Sequence, residues 1–96
     1  MANILTAAEA ATVLRCDVTD QAMLDLLPQV DAYVNYATGR DWTLDHPIRP
    51  VAKSAARILL TRAHEDPGAM SQPANSISWG LQACMMQLQA IALEEQ

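Results

Sequence analysis

An all-α fold, a small bundle of about four helices with a long loop before the last one, follows from three observations on this sequence. Hydrophobic residues make up 51% of the 96 positions, with 17 Ala and 11 Leu among them and no Phe. That composition suits closely approaching, Ala-lined helices better than sheets thick with aromatic side chains. Apolar residues recur with a period near 3.6 in four segments, and no segment sustains period 2. So short a chain has room for one core, which makes residues 1–96 a single domain.

The first helix opens at Thr6-Ala7-Ala8-Glu9, a capping box with Leu5 placed as a hydrophobic staple, and runs to about Arg15. Its inward stripe is Ala7, Ala10, Ala11 and Leu14, thin enough for close packing. Residues 17–20 form a polar turn in which Thr19 or Asp20 caps the next helix. There Met23, Leu27, Val30, Val34 and Ala37 share one face, and Gly39 is a left-handed stop. Pro28 lies inside this pattern and predicts either a kink or a restart near Leu27. Residues 40–47 carry no helical period. Trp42 and Leu44 alternate with polar neighbours as in an extended connection, and Trp42 pins it. The third helix starts around Pro47 to Pro50, with Asp45 as a plausible cap, and ends near Glu65 before Asp66-Pro67-Gly68. From Met70 to Ser78 the chain is polar and reads as a mobile or partner-ordered loop. The fourth helix follows, from about Ser78 to Glu94.

Charge and hydropathy exclude several classes. Six basic against eleven acidic residues give a net charge of -5, so counterion release offers little, and tight DNA or RNA binding by one copy is not expected. No apolar run is long enough for a membrane span, and the first residues do not read as a signal peptide, which points to the cytoplasm. In that reducing setting Cys16 and Cys84, far apart and without nearby ligands at metal spacing, are expected to be packed thiols.

Two features exceed the needs of a monomeric bundle. At 100° per residue the fourth helix puts Ile77, Leu81, Cys84, Met85, Leu88 and Ala92 on one side, a sufficient core stripe. Trp79, Ala83, Met86, Ala90 and Leu93 form a second apolar stripe on the other side, and no charged residue occurs between Asp66 and Glu94. Either the other helices surround this one, or the second stripe is a subunit interface; three short helices can hardly cover it, and we take the interface reading. Charge is also segregated. Residues 1–45 hold seven acids and two Arg, residues 46–64 hold Arg49, Lys53, Arg57 and Arg62 with no acid, and residues 65–96 hold four acids. Arg49, Lys53 and Arg57, four apart, are expected to line one edge, which is either a solvated basic face or one that meets Asp17, Asp20, Asp25 or Asp31 of the same or an adjacent copy, or else DNA. Pairing between copies would make assembly salt-sensitive while folding stays unchanged.

Catalytic chemistry is hard to find. His46 precedes a proline in a loop, and His64 closes the third helix, where an imidazolium suits the C-terminal carbonyls. There is no Gly-rich phosphate loop, no His-Glu-x-x-His and no nucleophile elbow. We therefore read the chain as a non-enzyme with no catalytic, cofactor or metal residues.

Several segments together resemble the head–tail connector proteins of tailed bacteriophages. They are Leu5 to Arg15, the helix start from Asp20 to Leu27, Tyr33-Val34-Asn35-Tyr36-Ala37-Thr38-Gly39-Arg40-Asp41-Trp42, and the Ala- and Leu-rich helix ending in Arg62-Ala63-His64-Glu65-Asp66-Pro67. The order and spacing match over residues 4–67, with the Thr-Gly-Arg-x-Trp element the most distinctive part. The resemblance implies a helical structural protein of the virion, resident in the host cytoplasm before assembly. It implies a homo-oligomeric ring, a dodecamer, docked under the portal protein and met on its other side by a tail-side completion protein. DNA would pass through its channel without sequence-specific binding, and no membrane is involved. A ring needs one patch of each copy to meet a different patch of the next, and the interface candidates are Trp79, Ala83, Met86, Ala90, Leu93, Arg49, Lys53 and Arg57. A net negative wall also suits DNA that must slide. From residue 68 onward no motif of the family is matched. The alternative, from another class, is a small helical regulator or antitoxin-like binding module that dimerises through a two-fold seam of Trp79, Met86 and Leu93.

Overall fold

The computed structural model describes residues 3–45, 47–66, 68, 71–72 and 77–94. His46 and most of the connection between residues 66 and 78 lie outside these, and with them the expectation of a mobile or partner-ordered loop. The described chain is all-α, as its composition and period predict: α1 (Ala7–Leu14), α2 (Gln21–Thr38), a 3-10 turn (Trp42–Leu44), α3 (Pro50–Glu65) and α4 (Trp79–Glu94).

The helix ends are set locally. The Thr6 hydroxyl accepts the Glu9 N–H at 3.1 Å and the Glu9 carboxylate accepts the Thr6 N–H at 2.9 Å, completing the capping box, while Leu5 is buried beside it. Asp20, not Thr19, caps α2 by accepting the Met23 N–H at 3.0 Å. Thr19 instead closes a turn onto Asp17 through its N–H and hydroxyl. At the far end Gly39 is left-handed at φ 78 and donates its N–H to the Asn35 carbonyl.

Three expectations about elements are corrected. α2 does not restart at Leu27: it runs unbroken from Gln21 to Thr38 with Pro28 on its exposed side, where the missing N–H can be replaced by water. Its inward face ends on Thr38 rather than Ala37, which is exposed. The Thr38 hydroxyl can be buried because it donates to the Val34 carbonyl at 2.7 Å and accepts the Trp42 Nε1–H at 2.7 Å. Asp45 does not cap α3. The helix begins at Pro50 after Arg49, with no side-chain cap, and Asp45 pairs with Arg40 and Arg49.

α3 is the centre of the bundle. Ala52, Ala55, Ala56, Leu59, Leu60 and Ala63 are buried on it, and it packs against α1, α2 and α4. The four alanines let neighbouring backbones come close, which is how a small core without Phe reaches native packing. The Cα extents are 38 × 30 × 16 Å.

Candidate subunit interface

α4 lies on α3 and α2 through Leu81, Met85, Leu88 and Ala92, all buried, with Ile77 just before it. Ser78 helps to seat it, its Oγ accepting the Gly80 N–H at 3.2 Å. A Cβ at Gly80 would stand 3.4 Å from Ile58 Cδ1, so α4 meets α3 closely at its first turn. Cys84, expected in the core stripe, is half-buried at its edge, and its thiol pKa is pushed up by burial.

The second stripe is not absorbed by the bundle. Trp79 is 80% exposed, Met86 56% and Leu93 71%; Ala90 is exposed and Ala83 half-buried. At 100° per residue these five positions centre about 150° from Leu81, Met85, Leu88 and Ala92, and over about 14 residues they extend roughly 21 Å along the helix. The reading in which other helices surround α4 is therefore corrected: α3 takes the central place, and α4 turns an apolar, uncharged face to water. Exposed apolar surface of this size and continuity marks a contact surface more often than it occurs by chance.

The basic edge of α3 is not a unit. Lys53 reaches α1, its Nζ donating to Glu9 Oε1 at 2.7 Å and to the Ile4 carbonyl at 3.1 Å. The Lys53 ammonium, and after it the Thr6 N–H, hold the Glu9 carboxyl below the usual carboxylate range. Arg49 lies 3.7 Å from Asp45. Arg57 is exposed, and among the described residues no carboxylate comes within ion-pair distance of it. The expected partners Asp17, Asp20, Asp25 and Asp31 thus give way to Glu9 and Asp45. Asp20 is occupied as a cap, Asp17 by Thr19, and Asp25 by Gln21. Asp31 is buried and its Oδ1 accepts the Ile4 N–H at 3.1 Å. Burial is the main cause that raises its pKa, against the lowering effect of that hydrogen bond.

The Thr-Gly-Arg-x-Trp element is a knot at the end of α2. Trp42 is fully buried and its N–H donates to Asn35 Oδ1 at 3.2 Å. The Arg40 guanidinium lies 4.6 Å over the indole and pairs with Asp45. Asn35 Nδ2 donates to Asp41 at 3.2 Å, and Asp41 also accepts the Thr43 N–H and hydroxyl. The expected extended connection is a 3-10 turn in consequence, although Trp42 pins it as anticipated. Near this element in the chain two large apolar side chains are exposed that the sequence pattern did not single out, Tyr36 at 92% and Leu44 at 71%. Tyr36 stands about 190° from the centre of the buried face of α2, which its spacing could have revealed.

Among the described residues no three His, Cys, Asp or Glu come together as a metal-holding group, and no helix is long and apolar enough to cross a membrane. Comparison of the chain with protein-family models, with curated proteins and with solved structures gives no match.

Proposed function

We propose that this chain is a structural assembly subunit, a head–tail connector of the tailed-bacteriophage kind. It forms a ring beneath the portal and extends the DNA channel toward the tail. The observation that carries the assembly half of this reading is the outward α4 stripe of Trp79, Met86 and Leu93, apolar, uncharged and opposite the helix's own core face. The virion half rests on the resemblance of residues 4–67, and above all on the element from Thr38 to Trp42. Each residue of that element has a structural task, so it is a fold-determining corner rather than a catalytic motif. A net charge of -5 leaves the subunit without an electrostatic hold on DNA passing through the ring.

Light scattering across concentration tests it. The wild-type mass should rise from one chain toward a large closed species. A ceiling at two chains would favour the dimeric regulator instead. Met86→Glu should stay at one chain with unchanged helicity, because burying the exposed part of each large apolar group is worth on the order of 1–2 kcal/mol and an unpaired carboxylate reverses that sign. A Met86→Glu protein that assembles like wild type, or that cannot fold, removes the stripe from this role.

A further inference from the structure

The segment before α1 is built differently from the rest of the core. Ile4 and Leu5 are as buried as any helical residue, yet residues 3–5 belong to no helix and, among the described residues, make no backbone-to-backbone hydrogen bond. Both polar groups of the Ile4 backbone are held instead by side chains from two different helices. Asp31 on α2 accepts its N–H at 3.1 Å. The Lys53 ammonium on α3 donates to its carbonyl at 3.1 Å while also holding Glu9 on α1 at 2.7 Å. A strap tied in this way can lift without undoing a helix, because no helical hydrogen bond depends on it.

The tie on α2 is sensitive to protons. Asp31 is the one buried carboxylate among the described residues, and its hydrogen bond to the strap is itself buried. Burial raises its pKa against the lowering effect of the Ile4 N–H, and the negative charge of Asp41 adds to the rise. Lifting the strap removes that hydrogen bond and lets water reach the carboxylate, so ionisation and opening favour each other. The neighbouring acids titrate lower. Lys53 holds Glu9, and Thr43 holds Asp41, below the usual carboxylate range, and α4 brings no charge before Glu94.

We infer that residues 3–5 form a proton-linked strap across α2 and α3, latched at Ile4 by Asp31 and Lys53, that is held more tightly in acid than near neutrality and opens as a unit while the helices stay folded. Opening uncovers the part of the α2 and α3 surface that Ile4 and Leu5 occupy. It needs no second copy.

Native-state hydrogen exchange of the full chain tests it, read at the Ile4 amide and at the Leu59 and Leu60 amides in the buried face of α3, with each rate divided by that of an unprotected amide at the same pH. In low urea the Ile4 amide should open at least about tenfold more often than the α3 amides and with almost no dependence on urea, since lifting so short a segment exposes little surface. Its opening constant should rise with pH, by up to about tenfold per unit while Asp31 titrates, and then level off. Asp31→Asn, which keeps an oxygen for the Ile4 N–H, should abolish that rise. Lys53→Met should increase opening at every pH and keep the slope. An Ile4 amide that exchanges only as often as Leu59, and with the same urea dependence, overturns the strap as a separate unit. Wild-type opening that is flat in pH, or a slope that survives Asp31→Asn, overturns the proton linkage. Ile4 opening in Lys53→Met equal to wild type removes Lys53 as a latch.

Discussion

At the scale of single residues, the segment before α1 is held by side chains of opposite charge rather than by regular structure. Ile4 is fully buried; its N–H goes to Asp31 on α2 and its carbonyl takes the Lys53 ammonium from α3. Lys53 is therefore part of the protomer's own fold, and charge reversal there would set two carboxylates against each other at Glu9 and disturb folding, whatever it does to assembly. Asp31 gives a prediction with a definite sign. Its folded pKa is raised, by burial first and by the nearby Asp41 charge as well, so the ionised form is the disfavoured one in the fold. Its contribution to stability then falls as pH rises from the unfolded to the folded pKa. Asp31→Asn keeps an oxygen for the Ile4 N–H and removes the buried charge. In urea unfolding it should be more stable than wild type near neutrality, with the difference shrinking as the solution is acidified through the folded pKa of Asp31. Wild type being the more stable near neutrality would mean that the charge itself stabilises. Glu9, Asp17 and Asp41 have the opposite sign, since hydrogen bonds to Lys53 and Thr6, to Thr19, and to Thr43 hold their pKa values down. Their contributions are lost as pH falls through those lowered values, so wild type still loses net stability in acid.

At the scale of elements, two helix ends use the same left-handed geometry with different residues. α1 ends on Arg15 at φ 55, and α2 ends on Gly39 at φ 78. A side chain in that region costs roughly 1 kcal/mol relative to glycine. A Cβ at Gly39 would meet no atom within 4 Å, so backbone conformation alone sets the penalty there. Gly39→Ala should lower stability by about 1 kcal/mol and Arg15→Gly should raise it by up to a similar amount. Denaturant midpoints check both, and changes of the same sign in the two variants would contradict the argument. These ends also show what the sequence makes legible. Thr6 with Glu9, Asp20 and Gly39 act within three or four residues, so local pattern reveals them. The partnership of Lys53 with Glu9 spans 44 residues, and no helical spacing encodes it. Asp45 misled for the same reason: a carboxylate near a helix start suits a cap until Arg40 and Arg49 claim it. Thr38 displaced Ala37 because a hydroxyl supplied with both a carbonyl and an indole N–H no longer needs water. Of the candidate interface, the α4 stripe was legible from its period, whereas the fold of the segment after Gly39 depended on how Trp42 turns back onto Thr38 and Asn35 of α2.

At the scale of the whole molecule, packing of α1, α2 and α4 on α3 leaves the outer face of α4 in solvent, and the two tryptophans report on the two levels of organisation separately. Trp42 is enclosed and hydrogen-bonded to Thr38, whereas Trp79 is 80% exposed on the stripe. A neutral quencher such as acrylamide reaches an indole only by touching it. In dilute solution, then, wild-type emission should divide into a quenchable part from Trp79 and a protected part from Trp42. If the stripe is the contact surface, raising the protein concentration should protect Trp79 in step with the increase in mass, while Trp42 stays protected throughout. Unfolding in urea should expose both together. Association that leaves the Trp79 fraction fully quenchable would place the contact elsewhere on the molecule. Loss of protection at Trp42 on assembly would mean that the corner after α2 rearranges when copies meet, which its network of bonds from Asn35, Thr38 and Asp41 argues against.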